Sequence, residues 1–209
     1  MLFRSVSASV GVHPSTTEGL DPDVDTLLQM ADSPEVVAIG ETGLDYHYNE
    51  GDLEWQRDRF RRHISASRQC GKPLIIHTRE AQQDTLAIMD EEQARDAGGV
   101  MHCFTEDWEM AQAALDMGFY ISMSGIVTFK NAKQVQDVAG RVPLDRLLIE
   151  TDSPYLTPTP YRGKSNRPGY VRYVADHIAQ LRGIPVEQLA EATSDNFFRL
   201  FPVQRQESA

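Results

Sequence analysis

Glu41, His77, His102 and Asp152 each stand at the C-terminal end of a short apolar run, in VVAIGE, LIIH, VMHC and LLIETD. Two imidazoles and two carboxylates make a nitrogen and oxygen donor set suited to Zn²⁺, Mn²⁺, Fe²⁺ or Mg²⁺, with no thiolate to favour a softer metal. One such histidine alone reads as a hydrogen-bonded structural residue, and Asp152 alone reads equally well as a turn cap before Ser153 and Pro154. Four residues of this kind at equivalent places read as one site. Two divalent ions bridged by a carboxylate would activate a water and clamp a phosphoryl oxygen. Glu41 is the candidate bridge, and Asp152 is the candidate for orienting or deprotonating the water as well as binding metal. The cofactors expected are therefore divalent metal ions, two of them, of the Mg, Mn or Zn kind.

Several neighbours suit a phosphate substrate. Arg79 lies two residues beyond His77 and on an extended chain points to the same side; it can hold a phosphate oxygen or simply form a surface ion pair. The loop after Asp152 carries Arg162, Lys164 and Arg167, with Tyr155 and Tyr161 nearby, which supplies cations and stacking faces for a nucleic acid strand. His13, in GVHP, ends the first strand. The substrate-side set is thus His13, Arg79, Arg162, Lys164 and Asn166. His63 and His177 fall inside helical patterns as surface or packing residues, His47 borders the same region without a role, and Cys103 is expected on the opposite face from His102, under a helix.

The elements that must position these residues are strands at 7 to 12, 36 to 41, 73 to 77, 99 to 103, 119 to 125 and 147 to 151. Their runs, apolar on both faces, read as parallel strands covered by helices. Asp21 and Pro22 mark the start of a helix through TLLQMA. A second helix runs from about Glu54 to Gly71, and Thr105 or Asp107 caps a third that ends at Gly118. Val171, Val174, Ile178 and Leu181 form a helical apolar stripe, Gly183 closes that helix and Pro185 starts the next. An open doubly wound sheet concentrates its chemistry at one switch point, whereas a barrel gathers the ends of all its strands at one mouth. Candidate residues close five of the six strands and no glycine-rich phosphate loop is present, so the expected fold is an α/β TIM-type (βα) barrel. It would comprise about the last six of eight βα units, with two units absent from the front. The whole chain, 1–209, reads as one domain, with 203–209 a frayed tail.

With 31 acidic and 20 basic residues the chain carries a formal charge of −11, which argues against a broad nucleic-acid-binding surface and leaves room for a pocket with its own cations. Two cysteines are too few for a disulfide framework and lack zinc-ribbon spacing. No secretory leader or membrane-spanning run is readable, so a cytoplasmic protein without membrane association or an obligate protein partner is expected.

Taken together, GVHP at 11 to 14, VVAIGETGLDY at 36 to 46, PLIIHTR at 73 to 79, VMHCFT at 100 to 105, FYISMSGIVTFK at 119 to 130, LLIETDSPYL at 147 to 156 and DNFFRLF at 195 to 201 resemble the TatD family of metal-dependent deoxyribonucleases. The resemblance implies a (βα)₈ metal hydrolase barrel in which Glu41, His77, His102 and Asp152 bind metal, with Glu41 serving a binuclear arrangement. It implies hydrolysis of DNA phosphodiesters, commonly by an exonuclease acting from the 3′ end on single-stranded DNA. Two departures stand out: the family's first strand usually carries an HxH pair that this chain lacks, and SNRP replaces a segment that usually reads RNEP, which puts Arg167 where an acid is common. The competing readings are a metal-dependent hydrolase of carboxylic or aminoacyl esters and amides, and an inactive, truncated barrel.

Overall fold

The computed structural model describes residues 6–19 and 21–203, so residues 204–209 of the expected tail lie outside the described part. Contacts divide the chain into two compact units, one made of residues up to Val100 with those from Phe198 onward, the other of Met101–Phe197. Strand order follows the chain, β1 to β6, as a succession of βα units requires.

The first unit holds β1 (Ala8–Val10), α1 (Val24–Ala31), β2 (Val36–Asp45), α2 (Glu54–Cys70), β3 (Leu74–Arg79) and α3 (Gln82–Glu91). Both strand pairs are parallel, with Ser9 opposite Ala38, Gly43 opposite His77 and Asp45 opposite Arg79. Ile39, Leu44, Leu74 and Ile76 of the strands and Phe60 and Ile64 of α2 are fully buried. The register of β2 against β3 shifts between Gly40 and Thr42, so Glu41 is an extra residue in β2. A bulge of this kind re-aims the side chain it carries.

The strand β4 (Gly99–Met101) lies at the junction. The second unit continues with α4 (Trp108–Asp116), β5 (Tyr120–Met123), α5 (Lys133–Arg141), β6 (Leu147–Ile149), α6 (Val171–Arg182) and α7 (Val186–Leu200). Its strands β5 and β6 are parallel, with Ile121 opposite Leu147 and Met123 opposite Ile149. The core here is Phe104, Met110, Phe119, Ile121, Met123, Leu147, Val174 and Ile178.

The expected elements all form, with differences that have physical reasons. The strand expected at 36 to 41 runs four residues further, so Glu41 lies inside β2, and His77 lies inside β3. His102 and Asp152 fall just beyond β4 and β6. The first helix is capped by Asp23, whose Oδ1 accepts from the Thr26 amide at 2.8 Å, and not by Asp21, whose carboxylate pairs with Arg59 and Arg62 of α2. Asp107 caps α4 by accepting from the Met110 amide. The buried stripe of α6 is Val174, Ala175, Ile178 and Ala179, while Leu181 is exposed; the helix packs on the face where alanines permit close approach. Cys103 does not alternate away from His102, because β4 ends at Met101 and Cys103 takes a left-handed φ of 45°. Its Sγ instead lies 3.1 Å from Ser124 Oγ. Among the described residues no helix is long and apolar enough to cross a membrane.

Candidate metal centres

In the first unit, His13, Glu41 and His77 form one group whose ligand atoms all lie within 4.8 Å of one another. The strands β2 and β3 bring Glu41 Oε1 to 3.1 Å from His77 Nδ1, and His13 Nε2 to 3.4 Å from the same oxygen. The other nitrogen of His77, Nε2, lies 3.2 Å from Oδ2 of Asp45, which is 1% exposed. His13 is fixed by its own turn, where the Ser15 amide donates to Nδ1 at 3.1 Å. A backbone N–H can only donate, so neutral His13 carries its proton on Nε2 and presents an N–H toward Glu41. In this arrangement His13 turns a donor toward Glu41 within the candidate group.

Helix α2 holds this end of β1 from beneath. His63, fully buried, accepts from the Val12 amide through Nε2 at 3.1 Å while its Nδ1 donates to the Arg59 carbonyl at 2.8 Å. Burial keeps His63 neutral, pushing its pKa down to about 4. Arg59 donates to the carbonyls of His13 and Thr16 and pairs with Asp21.

In the second unit, His102, Glu150 and Asp152 form a corresponding group. Both Glu150 oxygens straddle His102 Nδ1: Oε2 lies at 3.0 Å and accepts the hydrogen bond, whereas Oε1, at 2.9 Å, is buried and lacks hydrogen-bond geometry. The bond is therefore assigned to Oε2, which also accepts from the Cys103 amide at 3.2 Å. An ionised carboxylate accepts only, so the proton sits on Nδ1 and Nε2 keeps its lone pair, facing Asp152 Oδ1 at 3.8 Å. Asp152 has a left-handed φ of 56°, a conformation aspartate tolerates better than most residues.

These groups fit divalent cations. Each joins imidazole nitrogen to carboxylate oxygen and is half-buried, and the buried Asp45 sets a further carboxylate against His77. Sequence reasoning singled out Glu41, His77, His102 and Asp152, all members of the two groups, and did not single out Glu150 or the neighbouring Asp45. The available signal was nearness along the chain: Asp45 follows Glu41 by four residues and Glu150 precedes Asp152 by two.

A model of the family described as TatD related DNase matches residues 2–202. The chain is 56% identical over 200 residues to an uncharacterized metal-dependent hydrolase, YcfH, of Escherichia coli K12, covering 95% of this chain and 75% of that one. It is 32% identical over 203 residues to the 3′-5′ ssDNA/RNA exonuclease TatD of Salmonella typhimurium, covering 94% and 78%. The chain belongs to the TatD-related DNase family. Among solved structures, the TatD homolog YjjV of E. coli K12 superposes with a TM-score of 0.86 at 28% identity, over 95% of this chain and 77% of that one. The parallel strands in chain order and this likeness establish an α/β fold of the (βα)-barrel hydrolase kind.

The remaining residues expected at the substrate side of this TatD-related chain take different positions. Along β3 exposure alternates, leaving Ile75, His77 and Arg79 half-buried on one face, so Arg79 does share the side of His77. Its guanidinium lies 4.7 Å over the ring of Tyr48, which is 68% exposed. Arg162 is exposed and stacks 3.7 Å over Phe129, and Lys164 lies over Tyr161, which itself stacks on Tyr170 at 4.7 Å. From Tyr155 to Tyr173 the chain carries four cations and no acid. Asn166 is different: it is buried, its amide donates to the carbonyls of Thr151 and Tyr155, and its oxygen accepts from the Arg167 amide. With that capacity used internally, Asn166 pins the loop after Asp152. Arg167 is exposed at the start of the turn before α6.

Proposed function

We propose that this chain is a divalent-metal-dependent hydrolase that cleaves phosphodiester bonds of single-stranded DNA, as a 3′-5′ exonuclease. The observation that carries the reading is the pair of carboxylate and imidazole groups, with Glu41 and His77 supplying ligands in one and His102 and Asp152 in the other. A divalent ion held by such groups supplies Lewis acidity toward a phosphoryl oxygen and lowers the pKa of water, which is what phosphodiester hydrolysis needs.

The chain's own residues supply the rest. Glu150 holds the His102 ring through Nδ1, so that Nε2 and the Asp152 carboxylate converge. The Asp152 carboxylate would accept a proton released by attacking water. His13 offers an N–H beside Glu41, and Arg79, on the face of His77, offers donors for a phosphate oxygen. Downstream of Asp152, Arg162 and Lys164 accompany the exposed ring of Tyr155 and the stacked pair Tyr161 and Tyr170. That combination suits a strand whose bases are unpaired. The basic segment favours phosphate over carboxylic esters or amides, and the Salmonella relative's name is in keeping with this.

The test is degradation of 3′-end-labelled single-stranded DNA by the purified chain with Mg²⁺, Mn²⁺ or Zn²⁺, beside a panel of carboxylic esters and amides. The expected result is loss of the 3′ label first, stopped by EDTA and reduced at least 10³-fold by Asp152→Ala. Cleavage of the ester panel alone, or DNA degradation that Asp152→Ala leaves unchanged, contradicts the proposal.

A further inference from the structure

Asp152 adopts a left-handed backbone with φ 56°, and Leu156, four residues on, does the same with φ 54°. Residues with a β-carbon avoid this region and stay in it only where the surrounding structure holds them there. The backbone angles of Asp152 relate two peptide planes, one carrying the Thr151 carbonyl and the other its own. Its own carbonyl accepts from the Tyr155 amide at 2.9 Å. The Thr151 carbonyl is held from 15 residues away, by Asn166.

Asn166 is buried, and its groups meet this loop at several points. Its Nδ2 donates to the carbonyls of Thr151 at 2.7 Å and Tyr155 at 2.6 Å, bracketing Asp152, while its backbone N–H donates to the Pro154 carbonyl at 3.0 Å. Its Oδ1 accepts from the Arg167 amide at 2.8 Å. The opposite amide orientation would set Oδ1 against two carbonyl oxygens, so the contacts allow only this one. The far end of the loop is backed by the 3₁₀ turn Gly125–Thr128. A Cβ on Gly125 would lie 1.9 Å from the Leu156 carbonyl oxygen, and the Thr159 amide donates to Thr128 Oγ1 at 2.9 Å. The loop is thus pressed against a neighbour beyond Leu156 and tied by one side chain where it carries the carboxylate.

We propose that Asn166 is a positioning residue for Asp152. By holding the peptide that precedes Asp152, it keeps the left-handed backbone that aims the carboxylate at His102, whose Nε2 lies 3.8 Å from Oδ1. This rests on the reading of Asp152 as a working carboxylate of the site. With both side-chain N–H groups engaged inside the protein, Asn166 has no donor left for a phosphate oxygen. Its loss is therefore felt in turnover and not in substrate binding.

The experiment compares the full chain with Asn166→Ala, Asn166→Asp and Thr157→Val. The aspartate keeps an oxygen for the Arg167 amide, but in neither protonation state can it donate to both carbonyls. Thr157→Val removes a different tie of the same loop, the bond from Thr157 Oγ1 to the Lys164 carbonyl, and is the control for loosening alone. In the metal-free chain, NMR is expected to show the short distance between the amide and α protons of Asp152 that a left-handed φ produces. That distance lengthens in both Asn166 variants and stays short in Thr157→Val. With Mn²⁺ and single-stranded DNA, kcat of the Asn166 variants falls roughly 10 to 100-fold with KM nearly unchanged, while Thr157→Val keeps the parent's kcat. A long distance at Asp152 in the parent overturns the proposal whether or not the variants fold. So does a short distance retained in the Asn166 variants, a rise in KM with kcat unchanged, or an equal loss of kcat in Thr157→Val. If the parent cleaves no DNA, the functional reading fails and the Asp152 distance alone decides this inference.

Discussion

At the scale of single residues, His77 and His102 each face a carboxylate, Asp45 and Glu150, and the turn carrying His13 depends on a histidine that must stay neutral. His63 accepts from the Val12 amide only while Nε2 is unprotonated. Its pKa is lowered to about 4 by burial, against roughly 6.5 in an unfolded chain. The stability this contributes is complete above about pH 6.5 and is lost as pH falls toward 4, because the unfolded chain takes up the proton first. At pH 5 the loss is about 2 kcal/mol. Urea unfolding midpoints at pH 7 and pH 5, with His63→Phe as reference, check this. The variant's midpoint should shift less between the two pH values than the parent's, and an equal shift would show that His63 is not responsible. The sequence showed His63 as one histidine on a helical pattern. Nothing local marks it as the partner of an amide 51 residues away.

At the scale of elements, β2 is the part that makes the first group possible. Its bulge at Glu41 re-aims that side chain, and Gly43 sits directly against β3 with φ 129°. A Cβ there would lie 2.0 Å from the carbonyl oxygen of His77. Gly43→Ala should therefore cost roughly 3 kcal/mol or more and weaken metal binding with it, measured by thermal melting and metal titration. A variant that melts and binds as the parent does would mean β2 and β3 are not this close. The apolar run and its terminal acid were readable from sequence. The bulge was not, because an extra residue is defined only against the partner strand. Likewise the helix-start pattern at Asp21 was outcompeted by two arginines from α2, a long-range pairing invisible to local signals.

The loop after β6 is a second element with its own consequence. Asn166 ties it internally while Arg162 and Lys164 stay exposed. Replacing both cations with alanine should raise KM for single-stranded DNA several-fold with little change in kcat, and lower the salt slope of binding by about 0.7 per lost phosphate contact. Fluorescence anisotropy across a salt series reads this. An unchanged slope would remove the loop from the substrate's path.

At the scale of the whole molecule, the acidic balance of −11 and the divalent-metal groups belong together. With this net charge, the proposed DNA substrate would have to be drawn in by local cations and bound metal ions. The α/β class, the strand sequence and the family were legible from the apolar runs and the residues that end them, and so were four members of the candidate metal groups. Asp45 and Glu150 were not singled out, since each is one acid among 31 until the fold sets it against an imidazole nitrogen.

The central claim is that each group holds a divalent ion through its own ligands, and the count of ions bound tests it most directly. Mn²⁺ titration of the metal-stripped chain, followed by calorimetry and elemental analysis, should give two ions per chain. One should be lost in Glu41→Gln and one in Asp152→Ala, with the melting temperature rising on metal addition and falling with EDTA. A parent chain that binds no Mn²⁺ specifically, or variants that retain both ions, would contradict the account.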